Sequence, residues 1–345
     1  MNILILGNQG YVGSVLTDHL KKSNIGIIDG YDSGFFAHCL TTKSRFPEFG
    51  LRKQIFKDVR EICADDFVGY DAIIYLSAIS NDPMGSEFSD PTFAINHYFA
   101  VKAARLARLS GVKSFIFASS CSVYGLSDEI KKETSEVNPL TSYAHSKINA
   151  ERDLEKIADD NFAVTCLRFA TACGWSPRFR LDLVLNDFIA NAIVKKEIDI
   201  LSDGSPWRPL IHVNDMARAI EWALNRENKQ SFLSLNVGSN EWNYRIIDLA
   251  NAVSKQDPTV KIRTNKNYIP DNRSYRVDFS LFHLLAPNHR PQVNLEETID
   301  GIKKGLTNYG FKDHQFRKSE LWIRLMTIRN HIQNKVLDED LFWIN

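Results

Sequence analysis

Two patterns of hydrophobic and polar positions alternate along the chain from its first residues. The segment Ile3 to Leu6 is an unbroken apolar run, which is typical of a strand buried on both faces. Further runs of this kind lie at residues 25–28, 72–76, 115–118 and 164–169. Apolar residues at helical spacing separate the later runs. The alternation predicts an α/β protein with a Rossmann-type, doubly wound parallel sheet covered by helices on both faces.

A glycine-rich turn follows the first predicted strand. Gly7, Gly10 and Gly13 form the pattern GxxGxxG and open a helix. Glycines allow the backbone to turn tightly against a pyrophosphate, and the helix N-terminus supplies free N–H groups and partial positive charge. The turn therefore predicts a dinucleotide site with contacts from Gly7, Gln9, Gly10, Tyr11, Val12 and Gly13.

An acidic residue about 20 positions further on is expected to hold the adenine ribose. Asp32 lies nineteen residues after Gly13, and Asp29 is a rival three residues earlier. No arginine or lysine follows before Lys43, so a 2′-phosphate has no evident partner and NAD is favoured over NADP. Asp58 and Val59, after another short strand, are further candidates for contact with the adenine end.

A catalytic pair is indicated by Tyr143 and Lys147, which share one helical face at i and i+4. A nearby ammonium is expected to lower the pKa of the tyrosine towards the working pH and make it an acid/base. The apolar strand before this helix ends in serines. Because such a strand delivers its last side chains into the ligand crevice, one of these serines is expected beside the tyrosine.

The distribution of strand and helix signals also divides the chain into two predicted parts. Residues 1–170 and 209–240 are predicted to form an NAD-binding Rossmann domain, because the strand and helix signals fall there. Residues 171–208 and 241–345 are predicted to form a smaller, discontinuous substrate-binding lobe with a C-terminal helical tail. An apolar stripe in this tail, formed by Leu321, Leu325, Ile328 and Ile332, predicts that the tail docks on its own chain.

Bulk composition excludes several classes of function. Lys plus Arg equal Asp plus Glu at 42 each, so overall charge gives no reason to expect nucleic-acid or membrane binding. The five cysteines include no CxxC pair, so neither a disulfide framework nor a metal site is expected. No apolar stretch approaches the roughly 20 residues needed to span a bilayer. These features predict a cytoplasmic protein.

The glycine turn, the Ser-Ser-x-Ser-Val-Tyr-Gly strand end and the YxxxK helix together resemble the extended short-chain dehydrogenase/reductases, the nucleotide-sugar epimerase/dehydratase family. The resemblance extends to about residue 312. It implies the catalytic triad Ser120, Tyr143 and Lys147, of which the last two also contact NAD. The remaining cofactor positions that it implies are Leu76, Ser77, Ala78 and Asn96.

Substrate positions follow from the same resemblance. Asn186 matches a position that touches the substrate diphosphate, and Arg208 and Arg273 resemble diphosphate and ribose contacts. Ser122 is a candidate for the sugar pocket. Independently of the resemblance, the segment from Ser80 to Pro83 follows the fourth strand and is either a lining of the sugar pocket or a helix-capping loop. Arg180 and Arg276 are weaker candidates, and Arg180 is expected at the surface. The resemblance also implies a homodimer formed by the helices after Asn96 and around Tyr143.

The expected reaction is epimerisation of a nucleotide-linked sugar through a keto intermediate. Dehydratases of the family carry Asp-Glu after the catalytic residue, whereas this chain has Cys121 and Ser122. Strand alternation points Cys121 to the opposite face, which favours packing over catalysis. A keto-sugar reductase or a 4,6-dehydratase remains an alternative, and so does a non-catalytic NAD or nucleotide sensor on the same fold.

Overall fold

A computed structural model describes residues 1–42, 46–227, 229–265 and 273–344. Its strands are β1 Asn2–Leu6, β2 Ile27–Asp32, β3 Lys53–Phe56, β4 Ala72–Tyr75, β5 Ser114–Ser120, β6 Ile130–Lys131, β7 Ala163–Phe169, β8 Thr171–Cys173, β9 Glu197–Ile200, β10 Trp207–His212, β11 Phe232–Val237, β12 Asn243–Arg245, β13 Lys261–Thr264 and β14 Arg276–Val277. Its α-helices are α1 Tyr11–Lys22, α2 Asp82–Glu87, α3 Ser89–Phe93, α4 Phe99–Leu109, α5 Ser142–Glu155, α6 Val184–Lys195, α7 Val213–Asn225, α8 Ile246–Gln256, α9 Ser280–Leu285, α10 Leu295–Tyr309 and α11 Arg324–Gln333.

Seven strands of the described chain form one parallel sheet in the order β3-β2-β1-β4-β5-β7-β11. The strand order reverses direction between β1 and β4, which creates a crevice at the carboxyl ends of these two strands. The predicted Rossmann-type doubly wound sheet is confirmed.

The two faces of this sheet bury different side chains, because successive residues of a strand point to opposite sides. Ile3 and Ile5 pack into the same core as α1 and α7. Leu4 and Leu6 pack into a second core with alanines of α4 and the end of α5. Every one of these four strand residues is fully buried, which explains why the sequence shows an unbroken apolar run instead of an alternating one.

A second, smaller layer lies beside the sheet and is built largely from later segments. The strands β8, β10 and β12 form a three-stranded sheet, and β9 pairs with β13. Residues 209–213 stand within the segment that is predicted to belong to the Rossmann domain. Their strand β10 pairs with β8 and β12, while α7 and β11 do return to the main sheet.

The C-terminal tail docks on its own chain, as the apolar stripe predicts. Ile328 is fully buried in a small core with Phe35, Ile79 and Met84, and Leu325 and Ile332 pack beside it. No helix among the described residues is long and apolar enough to cross a membrane.

Candidate active site

A cleft of about 1160 Å³ runs along the carboxyl edge of the main sheet. The residues that end or follow β1, β2, β4, β5 and β7 all contribute to its lining. The cleft is therefore the crevice that the strand order creates, and the predicted cofactor turn and the predicted catalytic residues both open onto it.

In the glycine turn, backbone atoms lie so close to the Cα atoms of Gly7 and Gly13 that a side chain would not fit. Gly7 has a φ of +93°, a backbone conformation that L-residues rarely adopt. A Cβ on Gly13 would lie 2.4 Å from the carbonyl oxygen of Gly7. Gly10 caps α1 without any side-chain hydrogen bond, so the first N–H groups of the helix receive no side-chain acceptor from their cap. This open, positively polarised helix end at the cleft fits the pyrophosphate of a dinucleotide.

The two candidate ribose acids have different surroundings. Asp29 is fully buried and is held by Arg52 and Tyr70, so its carboxylate is used within the fold. Asp32 lines the cleft and accepts hydrogen bonds from the backbone N–H groups of Gln9 and Gly34. Burial raises the pKa of Asp32, although these two backbone donors oppose the shift. Asp32 is therefore the better placed acid.

Most of the other predicted cofactor residues line the cleft. They are Gly7, Gly10, Tyr11, Val12, Gly13, Asp58, Val59, Leu76, Ser77 and Ala78. The carboxylate of Asp58 accepts two hydrogen bonds from the guanidinium of Arg60, at 2.7 and 3.0 Å. The hydroxyl of Tyr11 donates to the carbonyl of Gly174, which ties the glycine turn to the segment after β8.

Three predicted contact residues do not line the cleft. The side chain of Gln9 turns away to Glu48. Asn96 is fully buried and bonds both the N–H and the C=O of Ile79, so it fixes the loop after β4. Asn186 is fully buried and donates to the carbonyl of Arg180. The side chains of these three residues are thus bonded within the protein, and their contact with a ligand stays a prediction.

The predicted catalytic residues share one wall of the cleft. Tyr143 and Lys147 lie on α5, and Ser120 ends β5. The ammonium nitrogen of Lys147 is 5.7 Å from the centre of the Tyr143 ring and donates to the carbonyl oxygen of Ala118 at 2.7 Å. Thr141 caps the N-terminus of α5 by accepting from the Ala144 N–H. The cap fixes where the helix starts, and therefore where Tyr143 stands.

The pKa values of the pair differ from the sequence expectation. Burial raises the pKa of Tyr143 to about 12, while a hydrogen bond with Ser120 opposes this shift. Burial lowers the pKa of Lys147 to about 7. The expected lowering of the tyrosine pKa is thus not found in the protein alone, because the cost of burying a phenolate exceeds the help from its neighbours.

The residues that follow Ser120 point in different directions. The thiol of Cys121 is fully buried, donates to the carbonyl of Arg168 at 3.1 Å and does not line the cleft. Burial raises the pKa of this thiol well above its usual range. The interpretation of Cys121 as a packing residue is confirmed. Ser122 does line the cleft, and its hydroxyl oxygen has no hydrogen-bond partner among the described residues.

Arg180 is not the surface residue that the sequence suggests. It lines the cleft with 7% of its surface exposed. Its guanidinium makes a bidentate pair with Asp182 and donates to the hydroxyl of Ser80 at 2.8 Å. Asn81 donates to the same carboxylate. Ser80, which is predicted to line the sugar pocket, and Arg180, which is predicted at the surface, therefore belong to one hydrogen-bonded cluster of polar side chains in the cleft.

The two stronger arginine candidates also reach the cleft. Arg208, on β10, donates to the backbone carbonyl of Arg273, and Arg273 pairs with Asp82. Arg276 does not line the cleft. It stacks over Trp207 with 5.3 Å between the guanidinium carbon and the ring centre, and it donates to the backbone of Asp128.

Sequence reasoning missed several charged side chains that line the cleft, namely Asp182, Asp187, Asp199, Arg317 and Arg324. They follow no motif, and only their contacts reveal them. Among the described residues, no group of three or more His, Cys, Asp or Glu side chains could hold a metal ion.

Comparison with known proteins agrees with this geometry. Residues 3–238 match the model of the NAD dependent epimerase/dehydratase family. A Bacillus subtilis (strain 168) protein named as an uncharacterized UDP-glucose epimerase is 28% identical over 239 residues, which cover 66% of this chain and 73% of that protein. UDP-arabinose 4-epimerase 1 of Arabidopsis thaliana is 26% identical over 272 residues, or 69% of this chain and 63% of the plant protein.

The fold is shared with solved structures. UDP-glucuronic acid 4-epimerase from Bacillus cereus, in complex with UDP-glucuronic acid and NAD, has a TM-score of 0.74 at 20% identity. That similarity covers 89% of this chain and 99% of the other. The chain belongs to the NAD dependent epimerase/dehydratase family and is an enzyme that uses NAD as its cofactor.

Proposed function

We propose that this enzyme epimerises a nucleotide-linked sugar, with Tyr143 as its catalytic acid/base. The observation that carries the proposal is the composition of the catalytic wall. Ser120, Tyr143 and Lys147 open together onto the cofactor cleft, while Cys121 turns into the core. A triad of this kind suffices to remove and return one hydroxyl proton.

The chemistry divides between the cofactor and the protein. NAD, when bound, accepts a hydride from the sugar carbon and later returns it. Tyr143 takes the proton of the hydroxyl on that carbon, so that the C–H and O–H bonds break together and a carbonyl forms. Ser120 holds the same oxygen through its hydroxyl. The keto-sugar then rotates in the cleft, so that the opposite face of its carbonyl carbon is presented to the cofactor. Tyr143 returns the proton to the carbonyl oxygen as the hydride is returned to this opposite face of the carbon.

Lys147 is proposed to act on Tyr143 through charge. Its ammonium nitrogen lies 5.7 Å from the centre of the phenol ring. The lysine is buried, and burial lowers its pKa. At this distance and in a poorly solvated site, a positive charge favours a phenolate far more than it would in water. Cofactor and substrate contacts with the triad are proposed to add to this effect, because the protein alone leaves the pKa of Tyr143 raised.

Three arginines suit the nucleotide diphosphate of the substrate. Arg180, Arg208 and Arg273 line the cleft, and a guanidinium matches the paired oxygens of a phosphate. Ser80 and Ser122 are proposed to face the sugar. The relatives named above act on UDP-linked sugars according to their names, so a UDP-sugar is the proposed substrate class.

The two alternative reactions are less well supported. A 4,6-dehydratase needs an additional acid/base pair after the catalytic serine, and here one of these two side chains is a buried thiol. Two acids that line the cleft, Asp82 and Asp182, are paired with Arg273 and Arg180, respectively. A reductase would consume its cofactor, whereas epimerisation regenerates NAD in every cycle.

A panel of UDP-hexoses, UDP-pentoses and UDP-uronic acids tests the proposal. Each sugar is incubated with the purified enzyme, and product configuration is followed by NMR while NADH absorbance is recorded. Conversion to an equilibrium mixture of two epimers, without net NADH, is the expected result. Loss of water from the sugar, or one NADH formed or consumed per product, would contradict epimerisation.

We also propose a homodimer formed through the surfaces of α4 and α5. Tyr98, just before α4, is 61% exposed, although it is a large aromatic residue. Light scattering of the purified enzyme tests this assembly. The expected mass is twice that of the 39.4 kDa chain.

A further inference from the structure

The last described segment of the chain, residues 313–344, lies beyond the region that matches the family model. It contains α11 and an end, residues 334–344, that turns back on itself through an antiparallel bridge between Leu337 and Trp343. This segment packs beside the part of the cleft that holds Asp32. We call residues 324–344 the C-terminal clasp, because they contact two loops on the adenosine side of the cleft.

The clasp holds the loop after β2. The indole N–H of Trp343 donates to the carbonyl of Ser33 at 2.7 Å, and its ring lies 5.5 Å from the ring centre of Phe35. A ring nitrogen of His331 lies 3.0 Å from the carbonyl oxygen of Phe35. Ser33 and Phe35 both line the cleft directly after Asp32, so this contact shapes the proposed ribose site.

The clasp also holds the loop after β3, through Arg60. This guanidinium donates to the backbone carbonyls of Asp340 and Leu341, at 2.5 and 2.7 Å, and its carbon lies 3.4 Å from the ring centre of Phe342. On its other side it carries the bidentate bond to Asp58, which lines the cleft. Arg60 therefore connects the chain end to a predicted adenine contact.

These contacts are anchored in an apolar core and do not depend on surface bonds alone. Leu337, Leu341 and Ile328 are at most 1% exposed and pack with Phe35 and Ile79. Burial of this kind favours the docked position of the clasp through the hydrophobic effect. The two loops are thereby held in place before any ligand arrives.

Arg324, the first residue of the clasp, adds positive charge to the cleft, and its guanidinium lies over the ring of Phe36. It lines the cleft with only 2% of its surface exposed, and one of its terminal nitrogens donates to the carbonyl of Arg178. The other terminal nitrogen has no hydrogen-bond partner among the described residues. A buried cation with an unsatisfied donor is stabilised by a nearby anion, and the cofactor would bring a diphosphate to the cleft.

We propose that the C-terminal clasp retains NAD by fixing the adenosine side of the cleft. The inference rests on the proposed positions of Asp32 and Asp58 at the adenosine end, and it is independent of the sugar reaction. Loops that are already fixed lose little conformational entropy when the cofactor binds, so affinity rises. Release of the adenosine then requires the same loops to open, which the clasp opposes.

The first test uses the unmodified enzyme. If docking of the clasp favours NAD, linkage requires that NAD favours docking of the clasp by the same factor. Hydrogen–deuterium exchange of residues 337–344 is measured after NAD has been removed and again at saturating NAD. We expect exchange on the order of tenfold slower with NAD. Unchanged exchange would overturn the proposal.

The second test measures affinity in two variants, the double substitution Phe342→Ala/Trp343→Ala and a chain that ends at Asn334. Both leave the Asp58–Arg60 pair intact. Dissociation constants are measured by calorimetry for NAD, ADP-ribose and nicotinamide mononucleotide. NAD and ADP-ribose are expected to bind about tenfold more weakly, since each decade corresponds to about 1.4 kcal/mol, and the mononucleotide is expected to be unaffected.

Arg329→Met is the matched control, because this arginine lies on α11 and pairs with Glu87 at the surface without lining the cleft. Its NAD affinity should equal that of the wild type. A folded truncated chain that binds NAD within about twofold of the wild type would refute the clasp. These binding readouts need no sugar substrate, so they stay separate from the outcome of the UDP-sugar panel.

Discussion

Lys147 lies one helical turn after Tyr143, and its ammonium nitrogen is 5.7 Å from the centre of the phenol ring. The same nitrogen donates to the carbonyl of Ala118 in the neighbouring strand β5. The lysine is therefore held between α5 and β5, where we propose that it acts on the tyrosine through charge and orientation.

Removal of the Tyr143 hydroxyl should abolish turnover and leave cofactor binding intact. We expect Tyr143→Phe to lower kcat by about 10²- to 10⁴-fold, which is the range for loss of a general acid/base. NAD affinity, measured by calorimetry, should change little because the ring remains. A non-catalytic sensor would instead show the same ligand response in both proteins.

Stability should depend on pH through Lys147. Its pKa is about 7 in the folded protein and about 10.4 in an unfolded chain. Between these values the unfolded state binds the additional proton, so the free energy of unfolding rises with pH, by up to about 1.4 kcal/mol per pH unit. Below pH 7 both states are protonated and this contribution becomes constant.

Urea denaturation of wild type and Lys147→Met over this pH range isolates the effect of the lysine. The difference between the two free energies of unfolding should move in favour of the wild type as the pH rises. A difference that stays flat from about pH 7 to about pH 10 would show that Lys147 keeps an ordinary pKa.

The glycine turn should not tolerate a methyl group at its third position. In Gly13→Ala the Cβ would lie 2.4 Å from the Gly7 carbonyl oxygen, so the turn must move. We expect NAD affinity to fall by about tenfold or more. Gly301→Ala is the control, because that Cβ on α10 meets no atom within 4 Å. It should keep NAD affinity and raise the free energy of unfolding by about 0.5–1 kcal/mol.

The buried ion pair behind the catalytic strand should be essential for stability. Arg168 binds both carboxylate oxygens of Glu151, and each residue is at most 6% exposed. Arg168→Met leaves a buried carboxylate without its partner, which typically costs about 3–5 kcal/mol. The exposed pair of Arg108 with Asp159 provides the comparison. Arg108→Met should cost about 1 kcal/mol or less in the same denaturation assay.

The sheet and the catalytic wall could be predicted because local patterns determine them. Unbroken apolar runs mark strands that are buried on both faces, and the glycine turn is confined to seven residues after the first of them. Tyr143 and Lys147 are four residues apart on one helix, so their proximity needs no tertiary information. The sequence alone left both Asp32 and Asp29 as candidates for the acid that holds the ribose. Only the structure separates them, because it shows that the carboxylate of Asp29 is bonded to other residues of the fold.

The sugar side of the cleft could not be predicted to the same extent, because it depends on contacts between distant segments. The sequence predicts Arg180 at the surface, but its ion pair with Asp182 and its hydrogen bond to Ser80 hold it in the cleft. The position of β10 outside the main sheet has a similar cause. Its apolar run is consistent with either sheet, and its pairing with β8 and β12 is decided by tertiary packing.

The cleft takes its two halves from different stretches of the chain. The glycine turn and the triad all lie before residue 170, whereas Arg180, Arg208 and Arg273 come after it. Mutation of the later segments could therefore alter how the nucleotide part of a substrate is held, without touching the groups that we propose to move hydride and proton. Such a division lets one reaction core serve many substrates over evolutionary time.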